Sequence, residues 1–505
     1  MKKDKQPHHK TKVAFLAGAS ALIALVPQTH ADNSTDSVDR LLNKLEQKGV
    51  LTTSEADELK AENSADQTNN VNQGPASIWK ISNTFKSINL FGDLRLRYEY
   101  RGVDNLPGVS PKTFYRERFR YALRVGIKGD LADNFYYGLR LETSTNPRSP
   151  WATFGNNTTA GSVTPSDKAQ SAINIGQAFI GWRPTSWFDI TAGRMPMPLY
   201  ITPMVWDSDI NPEGAFEKFK YTIDDVDLFV DMGQFDYQDP SSDSAFPSSD
   251  TFVLAWQAGG VVRLNDTTSF KIAPVVYTYA GDGTSGGLNQ PFVGQGNGPG
   301  QNVGVPGGSS VTLYNEQGLD HLLILEVPEE FDFEIPTTPL GSMHGRLFGD
   351  FAYNFEGDQR ADAAYNANPG AFPVTHPIHG QNIAYQVGIG FGSEGPVYGP
   401  TQGLVYGSTS KKNTWETRFY WQHIEQYALD VNLIDSDFFE GRGNLQGFYA
   451  SFAYSFTDAI IGTVRIGYAD RINSDLGTGG NNLDIPGLNP IRYYKLLQTD
   501  LTWRF

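Results

Sequence analysis

The chain contains no cysteine, so no disulfide holds it, as suits an exported protein that avoids disulfide management. It is poor in apolar residues, at 39% with a mean hydropathy of -0.38, which excludes a helical-bundle membrane protein. Past residue 31 it has no run of 18 or more apolar residues, the length a spanning helix needs. Positive charge is also scarce, with 40 Lys and Arg against 56 Asp and Glu and a formal charge of -16. Phosphate binding needs clustered Lys and Arg, so nucleic acid is set aside as a partner. The sequence has no P-loop, and it points to no enzyme and no cofactor.

What the chain does have is aromatic residues, 13% in all. Polar on average yet rich in aromatics is the balance a transmembrane barrel needs: half of its strand residues face water, half face lipid, and aromatic girdles mark the interfaces. The final stretch, Arg492 to Phe505, shows the required alternation. Phe505, Trp503, Leu501, Thr499 and Leu497 fall on one face, and Arg504, Thr502, Asp500 and Gln498 on the other. An apolar alternation ending on Phe505 resembles the closing strand of bacterial outer-membrane barrels, the end that the barrel assembly machinery reads.

Residues 1–31 read as a secretory signal. Lys2, Lys3, Lys5, Lys10 and Lys12 form a basic start, Val13 to Val26 an apolar centre, and Thr29-His30-Ala31 a cleavage site. Loss of the segment's five Lys and one Asp takes the formal charge from -16 to -20. Residues 32–87 read as two short periplasmic helices and a linker. Ser37 caps a helix with Val38, Leu41, Leu42 and Leu45 on one face; Thr52-x-x-Glu55 opens the second; Asn63 to Gln73 is polar linker. The extension fits a cap on the barrel floor or a short envelope contact, and the sequence leaves both open.

From residue 88 to 505, period-two segments recur. Leu94, Leu96, Tyr98 and Tyr100 alternate with Asp93, Arg95, Arg97 and Glu99. Phe119, Tyr121, Leu123, Val125 and Ile127 alternate with Arg118, Arg120 and Arg124, and Leu139 and Leu141 with Arg140 and Glu142. Such a charged row is costly in a dry core and cheap beside a water-filled lumen. The segments number about 16, an even count as bacterial barrels require. Tight turns such as Asp130 to Asn134 alternate with long loops such as 143–171, 195–213, 281–319 and 425–443. Connections 328–342 and 393–411 break the alternation, because a strand is missed there or the turns are elaborated. The Gly-rich loop 281–319 could enter the pore or stay outside.

Two metal motifs fail on their own terms. Asp207-x-Asp209-x-Asn211-x-Glu213 alternates oxygen ligands but lacks the Gly a calcium loop needs. His376-x-x-His379 has no third ligand at zinc spacing. The candidate pore-lining residues are Arg95, Arg97, Arg118, Arg120, Arg124, Arg140, Glu99 and Glu142. An Arg row in a narrow aqueous pore attracts anions, whereas pairing with Asp93, Glu99, Glu117 and Glu142 braces the wall. Both roles can hold at once.

The segments Gly92-Asp93-Leu94-Arg95-Leu96-Arg97-Tyr98-Glu99, Arg116-Glu117-Arg118-Phe119-Arg120-Tyr121, Ala192-Gly193-Arg194-Met195 and Trp206-Asp207-Ser208-Asp209-Ile210-Asn211-Pro212-Glu213-Gly214 resemble the putative porin family of Gram-negative outer membranes. The resemblance covers most of the mature chain and is sharpest before residue 220. It implies an antiparallel outer-membrane β-barrel, with a short N-terminal helical extension, that passes small polar solutes through outer-membrane lipid. The alternative is a structural or adhesion barrel with a plugged lumen, whose long outer loops bind partners; inward Tyr136, Phe179 and Phe229 keep it open. A homotrimer is compatible with the sequence, and solute selectivity is not legible in it.

Overall fold

The structure, a computed structural model, describes residues 84–107, 112–144, 149–155, 172–238, 251–281, 301–304, 310–313, 319, 321–339, 341–367, 374–393, 411–478 and 491–505. The signal segment, the helical extension and most of loops 281–319 and 393–411 lie outside those residues, as do the expectations attached to them.

Sixteen antiparallel strands form one closed barrel. They are β1 (Asn89–Asn105), β2 (Thr113–Asp130), β3 (Phe135–Thr143), β4 (Ile173–Thr185), β5 (Phe188–Arg194), β6 (Glu213–Ile223), β7 (Val226–Gln238) and β8 (Thr251–Asn265). Then come β9, in two segments (Thr268–Ile272 and Val275–Ala280), β10 (Leu323–Thr338), β11 (Gly341–Asn354) and β12 (Ile383–Gly392). The wall ends with β13 (Trp415–Ile424), β14 (Leu445–Ser455), β15 (Ile460–Arg471) and β16 (Ile491–Arg504). Each strand pairs with the next, and β16 pairs with β1 from Asp93↔Arg504 to Asn105↔Ile491. Closure satisfies the backbone of both end strands, which an open edge in lipid could not do. Among the described residues one α-helix, α1 (Gly357–Ala367), sits in the β11–β12 loop.

Alternation sorts the wall. Leu90, Leu96, Phe119, Leu139, Ile180, Trp256, Phe351, Phe419, Val464 and Trp503 are exposed on the outside, where lipid replaces water. Rings cluster toward both rims: Phe135 on Trp182 and Trp187 on Phe219 near short turns, Tyr100 on Tyr115 and Tyr468 on Tyr493 near the long loops. Arg97, Glu99, Arg118, Asp231, Glu326, Arg346, Arg418 and Asp500 are buried on the inner face.

One of the two irregular connections resolves. β10 continues through Pro328 to Thr338 and turns tightly into β11 at Gly341, whose φ is +96°. The sequence hid this extension because Pro328 and four nearby acidic residues look like a loop. Pro274 explains the break in β9: it has no N–H, and its carbonyl accepts Ala258 N–H at 3.1 Å while Ala273 N–H reaches Pro328 O at 3.1 Å.

Bulky inward rings do not fill the lumen in the way the plugged alternative requires. Tyr136 lies over Gly181, Phe179 over Gly138 and Phe229 over Gly259, so each ring takes the place of a side chain on the neighbouring strand. The closing seam uses the same device on the outside. Phe505 lies over Gly92, with Gly92 N–H donating to Phe505 O at 2.9 Å and Phe505 N–H to Gly92 O at 3.1 Å. A Cβ at Gly92 would sit 2.5 Å from both Arg124 O and the Phe505 ring. Gly92→Val is therefore expected to cost about 1–3 kcal/mol through overpacking. A lower urea midpoint and a smaller folded fraction after refolding would check this; wild-type values would refute the seam argument.

Candidate pore site

The eight charged residues singled out from the sequence all stand on inward positions of β1, β2 and β3. Arg97 holds Asp500 with two hydrogen bonds, at 2.8 and 2.9 Å, and Asp437 with two more, at 2.6 and 3.2 Å. Its guanidinium also lies 3.9 Å from the centre of the Trp151 ring. Glu99 gathers Arg118 (2.6 Å), Arg101 (3.0 Å) and Gln498 (3.0 Å), with Arg120 at 3.7 Å. Asp93 receives Arg95 at 2.7 Å and Arg124 at 3.0 Å, and Arg140 meets Glu142 at 2.9 Å. Every predicted Arg thus has a carboxylate partner, so bracing of the wall is present.

Two loops fold inward against this wall. Residues 195–212 connect β5 to β6, and residues 425–444 connect β13 to β14. Met195, Met197, Leu199, Ile201, Met204 and Val205 of the first pack with Leu429, Val431, Leu433, Ile434, Phe438 and Phe439 of the second. The loops also bond to each other: Asp207 N–H donates to Leu433 O at 2.5 Å, Asp435 N–H to Pro203 O at 3.0 Å, and Ser436 N–H to the Asp207 carboxylate at 3.0 Å. The first loop is tied to the far wall, where Tyr200 N–H donates to Gln257 Oε1 at 2.8 Å, Gln257 Nε2 to Tyr200 O at 2.7 Å, and Thr202 to Glu326 and Asp350. Lys271 covers the Tyr200 ring.

Sequence reading missed three things here. It treated 195–213 and 425–443 as ordinary long loops, although Met195 to Val205 is more apolar than a solvated loop should be. It missed Arg465 and Arg418 on the inner face. For the opposite wall it offered Asp227 and Asp231 but missed the basic partners, where Lys218 meets Asp231 at 3.2 Å and Arg346 meets Glu330 at 2.8 Å and Asp332 at 2.5 Å. The suspected oxygen ladder does not converge. Asp207 caps Asp209 N–H and Asn211 takes Gln177, while Glu213 faces outward to Arg194 at 2.5 Å. His379 pairs with Asp362 at 2.7 Å, which raises its pKa.

Residues 103–294 match a family model described as "Putative porin". The match runs from the end of β1 into the loop after β9. That match and the closed barrel make the chain a bacterial outer-membrane protein and a passive-diffusion channel. Solved structures similar to this chain include a double mutant of the Rh. blastica porin (10% identity, 83% of this chain and 100% of that chain, TM-score 0.36). An anion-selective porin from Comamonas acidovorans matches at 10% identity over 83% and 99%, TM-score 0.37. No curated protein matches this chain.

The geometry gives two expectations. Asp500 serves both Arg97 and Arg465, with all three side chains at most 7% exposed. Asp500→Asn should destabilise the barrel by about 3–5 kcal/mol, the usual loss when a buried pair keeps only its cation, read as a lower urea midpoint. Asp207 is the second case. Burial, then the neighbouring Asp209, pushes its carboxyl up to about 7. It binds its proton more tightly folded than unfolded, so its contribution to the loop junction is complete on the acid side. That contribution fades as pH climbs from about 4 to about 7. Channel current should therefore be larger at high pH than at low pH, and Asp207→Asn should flatten the dependence.

Proposed function

We propose that the channel passes small hydrophilic solutes and ions through the lumen alongside its two joined inward loops, and that Arg95, Arg97, Arg118, Arg120, Arg124, Arg140, Glu99 and Glu142 line the narrow section. The observation that carries this reading is the meeting of the loop residues Asp209 and Asp437 with the Arg wall of β1–β3, Asp209 with Arg124 at 3.7 Å and Asp437 with Arg97 at 2.6 Å. The paired charges leave little net field, so selectivity between anions and cations is weak. Asp437 is central, because it joins the 425–444 loop to Arg97 and to Gln498 at 3.0 Å.

Export by a signal cleaved after Ala31, and delivery to the assembly machinery through the strand ending at Phe505, complete the reading. A homotrimer is favoured by the low wall at β5. Phe188–Arg194 is only 7 residues, whereas a lipid-spanning strand needs about 9–11, so a neighbouring copy would cover what lipid cannot. The plugged-barrel alternative has one observation in its favour, the hydrogen bonds that join the two loops across the lumen.

Single-channel recording in a planar bilayer separates the two readings. Steady steps with a small reversal potential in a salt gradient are expected, and a shortened 425–444 loop should raise the conductance severalfold. Folded protein that never conducts would overturn the open-channel reading in favour of the plugged one.

A further inference from the structure

Carboxylates on the inner wall meet cations: Lys218 holds Asp231, and Arg346 holds Glu330 and Asp332. One pair of acids departs from that rule. Glu326 of β10 and Asp350 of β11 are diagonal neighbours on the inner face, Glu326 opposite Ala352 and Asp350 opposite Pro328. Glu326 is 0% exposed and Asp350 is 3% exposed. No Lys or Arg among the described residues forms an ion pair with either, and the two carboxyl groups bond to each other instead. A hydrogen bond between two carboxyl groups needs a proton on one of them, since an ionised carboxylate only accepts.

A loop is fastened to this pair. Thr202, in the 195–212 loop that enters the lumen, donates its N–H to Glu326 Oε1 at 3.3 Å and its hydroxyl to Asp350 Oδ2. The other two oxygens, Glu326 Oε2 and Asp350 Oδ1, take no donor side chain or backbone N–H among the described residues. One residue thus spans both acids, and it does so only while they stay side by side. The groups packed around the pair bring no compensating charge. β9 presents Tyr277, on which both acids and Asp430 of the second loop act. β12 places Gln386 opposite Asp350. Glu329, on the outer face of β10, adds a negative charge acting on Asp350. Lys271 covers the Tyr200 ring, and Arg346 is held by Glu330 and Asp332. Removal of the shared proton leaves two adjacent carboxylates in a buried site, where like charges repel and each draws water.

We propose that Glu326 and Asp350, sharing one proton, form a latch that clips the 195–212 loop to the β10–β11 wall, and that loss of this proton as pH rises releases Thr202 and loosens the loop tip in the lumen. The hold is complete on the acid side, where the proton is present, and is lost on the alkaline side. The latch rests on the inward position of the loop and not on conduction.

Asp207, at the other end of the same loop, changes the current in the same direction, so the test reads the loop tip itself. The sequence has no cysteine, so Ile201→Cys gives the full refolded chain a single thiol beside the latch, at a position that is 5% exposed. A small methanethiosulfonate reagent labels it at pH values from about 5 to about 9, a range that spans carboxyl and thiol titration. The rate is divided by that of the same chain also carrying Glu326→Gln, which cancels the titration of the thiol. Gln keeps a hydrogen bond to Asp350 and cannot become a second charge. The ratio is expected to be near unity at acid pH and to rise severalfold at alkaline pH. Thr202→Val should label fast already at acid pH, since its tip is never clipped. A ratio that stays flat, labelling absent throughout, or Thr202→Val labelling as slowly as the parent at acid pH would overturn the latch. Should Glu326→Gln fail to fold, Asp350→Asn takes its place. A rising ratio in a protein that never conducts keeps the latch while the channel reading falls. A flat ratio in a conducting protein removes the latch and leaves the channel standing.

Discussion

Backbone hydrogen bonding in lipid is the constraint from which this structure follows. A strand edge facing hydrocarbon has no water to replace a missing partner, so the sheet must meet itself. The meeting point is the β1–β16 seam, where thirteen register pairs run from Asp93↔Arg504 to Asn105↔Ile491. Phe505 closes its lower end over Gly92, and the absence of a side chain at Gly92 is what lets the ring lie flat there. Once the seam is shut, inside and outside are fixed for every residue. The outward row then needs only to be apolar, and the inward row inherits all the charge.

The interior is consequently a problem in charge compensation. Buried guanidinium and carboxylate groups are tolerated only in pairs, and the barrel solves this across strands distant in sequence. Arg97 from β1 meets Asp500 from β16 and Asp437 from an inward loop. Glu99 gathers three basic groups from β1 and β2. The same ion pairs that hold the wall also anchor the loops that narrow it, so wall stability and pore shape share residues. Across the lumen the same rule holds, with Lys218 on Asp231 and Arg346 on Glu330 and Asp332.

Much of the fold could be read from alternation alone. Leu94 to Tyr100, Phe119 to Ile127 and Leu497 to Phe505 each repeat every two residues, and a one-residue slip would turn every side chain to the wrong face. The strand count, the inward direction of Arg95, Arg97, Arg118, Arg120, Arg124, Arg140, Glu99 and Glu142, and the short turns at Asp130 to Asn134 all come from that pattern. β10 was less legible because Pro328 and its acidic neighbours carry the signature of a loop, while the partner that overrides it, β11, is visible only in three dimensions.

The sequence by itself determined which residues face lipid and which face the lumen, because pleating makes that a local property of each strand. Only the tertiary structure decided where the loops go and which charges meet. Residues 195–212 and 425–444 are apart in the chain and join only because barrel closure brings β5–β6 and β13–β14 around one lumen. No periodicity encodes the contact of Asp207 with Ser436, or of Arg97 with Asp437, since each is set by curvature and shear of the whole sheet rather than by neighbours along the chain.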